Sequence, residues 1–453
     1  MAPRKRTFCP TCLTALIAAL TTSFLTAACV LAAPRSADPA PAGHPAAGSG
    51  LVPAGQLYSF RGGVKVRPMS ADDPHISSPK SVNFHPDGQK VYINALEGLE
   101  TLVYSVPDLR LIKAISHTFT AQDASLFKDG ETTLFDYVYY HARKPELLNV
   151  FSGKPVEGTF SHGGRYFWVP YYRRDFDKNA SDPSAMAIID TGTDAIVRVM
   201  PTGPLPKMVA ASPDGKFLAV THWGDNTVGL IDISSQDPQD FAYVRHLVDG
   251  ARLNTRNITG NRDNNCGRCL RGTVFSPDGS RLLVGRMAGT GIAVFSIPDG
   301  AHMGAFTSFS PSPRHLVIDP VKDLLYASDS RQGVVIRVGL AEALASVADS
   351  PGRDVPGPKG ERINVGIRPR TVAVTPDGGT LFTSVHGSFK LVRVDTGTWQ
   401  VTGSEDVSPA PVGLGVSPDG RYVAVTSQGY RDNSSANGYS GGNSVEFFAI
   451  QQQ

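Results

Sequence analysis

Short apolar runs and polar turns alternate along most of the chain, and one spelling of that alternation recurs. The stretch "FSPDGSRLLV" at Phe275 holds the end of an apolar run, a Ser-Pro-Asp-Gly turn and a second apolar run. Similar decamers start at Phe84, Ala211, Val374 and Val416, and looser ones at Phe160 ("FSHGGRYFWV") and Ile318 ("IDPVKDLLYA"). In the turn, proline fixes φ, aspartate caps its own backbone and glycine accepts positive φ. Each copy therefore predicts two antiparallel strands joined by a tight turn. A third alternating strand follows, such as "TVGLIDI", "GIAVFSI" or "SVEFFAI", and a small turn such as "TGTDA" opens a fourth.

Seven copies, spaced 42 to 76 residues apart, give the fold class. The shortest spacings match one four-stranded propeller blade, and the longer ones a blade with loop insertions. A single such sheet cannot bury both faces, but seven arranged radially can. The expectation is an all-β, seven-bladed β-propeller of four-stranded antiparallel blades over residues 55–450. The seventh unit stops after its third strand. The missing strand is expected from the N-terminal side, at "QLYSFRGGVKV" (56–66), which would interlock first and last blades and remove an open edge.

The units "PKMVAASPDGKFLAVTHWGDNTVGLIDI" and "PRTVAVTPDGGTLFTSVHGSFKLVRVDTGT" resemble the YVTN-type seven-bladed propeller repeat, as in exported YncE-like proteins. The resemblance spans about residues 56–450. It extends to the superfamily of the nitrous oxide reductase, cytochrome d1 and lactonase propellers. It implies a fold rather than a chemistry, since that fold hosts enzymes, electron-transfer domains and binding modules.

Composition adds a leader. Arg4, Lys5 and Arg6 precede the apolar run "LTALIAALTTSFL" (13–25), the layout of an export signal peptide too short to span a bilayer comfortably. Two exits are open: cleavage near Ala32 or Ala33, or acylation of Cys29 in the lipobox-like "LTAAC". The organisation read here is a signal peptide at 1–33 and an Ala/Pro/Gly-rich linker at 34–54. The protein is then exported: periplasmic, an envelope lipoprotein or extracellular. Taking the three leader cations from 43 basic residues leaves 40 against 41 acidic ones, so no global charge favours nucleic acid. Membrane contact is expected only through a lipid anchor, and the propeller is read as a monomer. Beyond the leader only Cys266 and Cys269 remain, in "CGRC". Leu270 stands where a c-type haem site needs His, and no second cysteine pair completes a zinc ribbon. A loop-pinning disulfide is the expectation. Metal binding there has no support in the spacing.

Candidate binding chemistry follows from the repeat. In related propellers the first strand of each blade lines the central channel. Its entry and the loop after the second strand share one face. At the entries stand Pro79-Lys80, Pro206-Lys207, Leu270-Arg271, Pro313-Arg314 and Pro369-Arg370. Blade 2 lacks the cation, and blade 7 reads Pro411-Val412. Lys80, Lys207, Arg271, Arg314 and Arg370 would converge on the channel mouth and suit a carboxylate, a phosphate or an acidic partner loop. The alternative is local pairing or solvent exposure of each cation. The same face should carry His222-Trp223, Arg286, Asp329, Arg331, His386, Tyr171-Tyr172-Arg173 and Tyr430-Arg431. His222 and His386 are expected to hydrogen-bond neighbouring loops, with metal ligation as the alternative. No cofactor is assigned.

No HExxH or Walker motif occurs. The leading expectation is a non-catalytic binding propeller for an anionic small molecule, an envelope component or a protein. A lactonase-type hydrolase at the channel mouth and a periplasmic redox accessory docking a cofactor or metal protein are the alternatives.

Overall fold

A computed structural model describes residues 50–59, 67, 69–140, 143–254, 260–431, 439–440 and 443–451, without the side chains of 430–431 and 439–440. The expected leader, linker and Cys29 lie outside the described residues, apart from 50–54. Among the described residues, seven small antiparallel sheets form a ring, a seven-bladed β-propeller. No described helix is long and apolar enough to cross a membrane.

The turn chemistry works as the repeat implies. In blade 4 the Ser276 hydroxyl donates to Asp278 Oδ1 at 2.5 Å, and the same oxygen accepts the Ser280 N–H at 3.0 Å. Gly279 sits at φ 70°, in the left-handed region, and its N–H donates to the Ser276 carbonyl at 2.8 Å. Ser212–Asp214, Thr375–Asp377 and Ser417–Asp419 repeat the hydroxyl–carboxylate bond at 2.5–2.6 Å. These bonds set the register of the first two strands of four blades.

Blade 1 is Pro79–Phe84, Lys90–Ala95, Glu100–Ser105 and Leu111–Ser116. Blades 3 and 6 have the same plain four-strand order, with first strands at Pro206–Ala211 and Pro369–Val374. Blade 4 starts at Leu270–Phe275 and gains a parallel edge strand, Asp354–Val355. Blade 5 starts at Pro313–Ile318, and a short helix, Leu340–Ala345, precedes its last strand, Glu361–Asn364. Blade 2 is enlarged. Its second strand, Tyr166–Arg174, pairs first with Thr159–Ser161 and then with Phe151–Pro155.

Blade 7 closes the ring with an N-terminal strand as expected, which overlaps the expected 56–66 at 56–58, while 60–66 lie outside the described residues. Its strands are Pro411–Val416, Tyr422–Ser427, Ser444–Ile450 and, as the fourth, Leu51–Tyr58. The closing strand therefore begins five residues before the expected 56–66, inside the stretch read as linker. The apolar pattern misled because Pro53 and Gly55 interrupt it. The ladder to Ser444–Ile450 passes them with a register shift, a β-bulge.

Among the described residues, the interior comprises seven apolar clusters, one between each pair of neighbouring blades. Trp168 and Met186 of blade 2 meet Val209 and Val220 of blade 3, for example. The blade 7 to blade 1 seam holds Leu57, Val82, Ile93, Val445 and Phe447. Near the axis the backbones come close. A Cβ on Gly413 would lie 2.6 Å from the Lys80 carbonyl oxygen and 2.8 Å from Ser81 Cα. Glycine is needed there for approach rather than for conformation. Gly413→Ala should thus push the closing seam apart and cost about 1–3 kcal/mol. A thermal melt equal to wild type would contradict this.

Candidate functional site

The entry to each first strand carries a proline except in blade 4, where Leu270 stands, and a β-bulge interrupts pairing just after that station in blades 1, 3, 4, 5, 6 and 7. The residue after the proline is the bulged one in blades 1, 3 and 5, so its side chain leaves the ladder. Lys80, Lys207 and Arg314 occupy that position. Arg271 and Arg370 occupy its equivalent in blades 4 and 6.

These cations come together. Lys80 lies in the field of Arg271, Arg314 and Arg370, and Lys207 in that of Arg271, Lys80 and Arg314. Burial, first, and these like charges, second, push both ammonium pKa values well below the usual lysine range. Burial, Arg271 and Arg370 likewise lower the Arg314 guanidinium. Lys207, Arg271 and Arg314 are buried, and Lys80 and Arg370 are partly so. His315 and His386 stand in the same field, and burial and the cations hold each imidazole down at about 3. His386, as a neutral ring, donates Nδ1–H to the Pro411 carbonyl at 3.1 Å.

Two carboxylates enter the group, and neither was expected from the sequence. Glu157, buried, takes the Arg271 Nη2 at 3.0 Å. It belongs to blade 2, whose entry reads Pro155-Val156-Glu157, so the blade that lacks the cation supplies an anion one residue later. Aligning Pro155 with the other entry prolines would have found it. The second is Asp263, from the insertion before blade 4. Its Oδ1 accepts from Lys207 Nζ at 2.9 Å, and its Oδ2 accepts from the Tyr172 hydroxyl. Nothing in its local sequence marks it. The Lys207 ammonium also sits 4.2 Å from the Tyr172 ring centroid and 5.2 Å from that of Trp223. By contrast, Lys80 and Arg314 make no ion pair with any described residue. Arg314 offers Nη1 only to the Met287 sulfur, at 3.8 Å. Arg368, exposed, adds a further charge felt by Arg314 and His386.

Several residues expected on the binding face are used internally instead. Arg286 is fully buried: Nε and Nη2 clasp Asp249, and Nη1 reaches Asp354 Oδ1 at 2.7 Å. Asp329 is buried and caps its own turn, accepting from the Arg331 and Gln332 N–H groups at 2.9 Å and from the Ser310 hydroxyl at 2.6 Å. Arg331 itself is exposed on that turn. Tyr171 is a core residue, its hydroxyl bonded to His117 Nδ1 at 2.9 Å. Arg173 donates to the Lys178 carbonyl and lies 5.7 Å from the Tyr172 ring centroid. The side chains of Tyr430 and Arg431 lie outside the described residues. For Arg286, Asp329 and Tyr171 the residue type suits recognition, but the geometry satisfies a buried partner first.

His222 is also internal. It is fully buried, Nε2 accepts the Gly203 N–H at 3.0 Å, and Nδ1–H donates to Thr227 Oγ1 at 2.8 Å. Thr227 donates on to Asp225 Oδ1 at 2.7 Å, and the Tyr137 hydroxyl donates to Asp225 Oδ2. This cluster ties the loop between blades 1 and 2 to blade 3. Cys266 and Cys269 form a disulfide. Among the described residues, no group of three or more His, Cys, Asp or Glu side chains is placed to hold a metal ion.

No family model matches the chain, and no curated protein matches it. Solved structures do. Kuenenia stuttgartiensis hydrazine synthase is 13% identical with a TM-score of 0.51, over 77% of this chain and 92% of that one. The Myceliophteria thermophila Cps50 (Swd1) β-propeller domain is 11% identical with a TM-score of 0.55, over 83% and 97%. A chain of a mitotic checkpoint complex is 10% identical with a TM-score of 0.53, over 93% and 100%. At such identities the likeness carries the fold alone.

Burial raises the Asp225 carboxyl to about 6, with the Tyr137 and Thr227 bonds opposing it. The unfolded value is about 3.9. The protonated form therefore favours the fold. That contribution, roughly 3 kcal/mol, is full below pH 4 and is lost as pH rises through 6. Asp225→Asn should flatten the stability profile between pH 4 and 6.5 in urea titrations. An unchanged slope would show that Asp225 does not titrate in the folded protein.

Proposed function

We propose that the protein is a binding propeller that holds an anionic ligand on the cationic ring at the channel mouth. One observation carries the reading: cations from five blades share one field, and two of them, Lys80 and Arg314, make no ion pair among the described residues. Burying like charges side by side costs stability. Such an arrangement marks a functional-site candidate, because a bound anion removes the cost. The guanidinium groups stand on three consecutive blades, and their planar forks suit carboxylate or phosphate oxygens. The ring is pre-organised by its prolines and bulges, so little ordering accompanies binding. Export to an oxidising compartment is part of this proposal, and the Cys266–Cys269 disulfide supports it.

Isothermal titration with citrate and with inorganic phosphate tests the reading. Arg314→Gln with Arg370→Gln should lower the affinity of the tighter anion by roughly ten- to hundredfold per lost charged hydrogen bond. Arg314→Gln alone should melt no lower than wild type, because Arg314 makes no ion pair among the described residues and a repulsive charge is removed. A large fall in melting temperature with unchanged anion binding would make the cations structural and sink the proposal.

Binding should also take up protons. An anion beside Lys80 and Lys207 raises the lowered ammonium values, so affinity falls as pH rises toward the ordinary lysine range. Titrations in buffers of different ionisation enthalpy measure this directly. Zero proton uptake would mean that neither lysine meets the ligand.

A further inference from the structure

Asp263 sits in the ring as a carboxylate brought from outside the repeat. It lies in the insertion ahead of blade 4, three residues before Cys266. It engages Lys207 at 2.9 Å and the Tyr172 hydroxyl, and the Trp223 indole N–H donates to its backbone carbonyl at 3.3 Å. The arm that carries it is fastened at its base. The Arg268 N–H donates to Asn226 Oδ1 at 2.7 Å, and Asn226 Nδ2 donates to the Ala251 carbonyl at 3.0 Å, so one side chain grips both limbs. The disulfide closes the Cys-Gly-Arg-Cys loop between Asp263 and Arg271. Arg271 feels Asp263 as well as Glu157, so the arm's carboxylate belongs to the same electrostatic group as the ring.

Resting on the anion-binding reading above, we propose that Asp263 is a tethered stand-in for one carboxylate of the ligand, and that the ligand is a small polycarboxylate. One ligand carboxylate replaces Asp263 on Lys207 and Tyr172, while another lies on Arg314 and Lys80. Lys207 lies in the fields of both Arg314 and Lys80, so the two subsites belong to one electrostatic group. A monocarboxylate has no reason to displace Asp263, because it gains the second subsite without it. The intramolecular contact thus selects for ligands with at least two carboxylates, and Asp263 is a specificity residue of the ring. Tyr172 and Trp223 then change surroundings on binding, and Trp223 reports it.

The test compares wild type, Asp263→Asn and Glu157→Gln, each titrated with citrate and with acetate, with Trp223 fluorescence followed in parallel. Both substitutions remove one negative charge from the same group, but only Asp263→Asn frees Lys207. The expected result is a gain of tenfold or more for citrate in Asp263→Asn, with acetate changed threefold or less. In Glu157→Gln the two anions should gain alike. Citrate should perturb Trp223 emission in wild type, and a Trp223→Phe variant identifies the signal against Trp168 and Trp399. Equal gains for both anions in both variants would reduce Asp263 to a background charge and overturn the inference, leaving anion binding intact. Absence of anion binding in all three proteins, with native melting curves, would overturn the anion-binding reading itself. Binding that emerges only in Asp263→Asn supports the stand-in role.

Discussion

A four-stranded blade with two apolar faces has to be covered on both, and a closed ring does that without an outside partner. Everything else in this molecule follows from that constraint. The seven apolar clusters are its direct expression, each made by two neighbouring blades. Closure is the hardest joint, because the last sheet has only three strands of its own. Leu51–Tyr58 completes it by antiparallel pairing with Ser444–Ile450, and Gly413 lets blade 7 meet the backbone of blade 1. Strand pairing removes the open edge, and apolar burial at Leu57, Val445 and Phe447 holds it.

The same constraint converts repetition into a site. Whatever residue a repeat writes at the entry to its first strand is delivered to the ring's axis. Five blades write a cation there, and in blades 1, 3 and 5 the bulge after the entry proline turns it out of the ladder. Packing accounts for the proline and for the strand, but not for the charge. Blade 7 makes the point, since Val412 fills the same station and is buried. The fold therefore tolerates an apolar residue there, and the five cations are an addition to it. Glu157 and Asp263 offset part of their repulsion.

The sequence made the ring legible because the turn chemistry repeats in full: hydroxyl, proline, aspartate and glycine each have a fixed mechanical task. The bulge at Pro53 and Gly55 hid the true start of the closing strand, since it breaks the period-two pattern from which strands are read. The cationic station was legible for the same reason as the fold, by its fixed distance from the turn. Arg286, Asp329, Tyr171 and His222 were not separable from binding residues in the sequence. Their type and loop position suit recognition, yet each meets a buried partner from a distant segment: Asp249, Ser310, His117 and Gly203. Asp263 was illegible in the opposite sense. It lies in an insertion without a repeat to calibrate it, and only the fold brings it to Lys207.

The cationic ring is the central claim, and its occupancy is directly visible by diffraction. Crystals of the protein soaked in sodium bromide and measured at the bromine absorption edge report where anions settle. The account places the strongest anomalous peak at the axis, in contact with Arg314 and shared with Arg271, Arg370 or Lys80. A ring that stays empty while bromide occupies scattered surface lysines would contradict it.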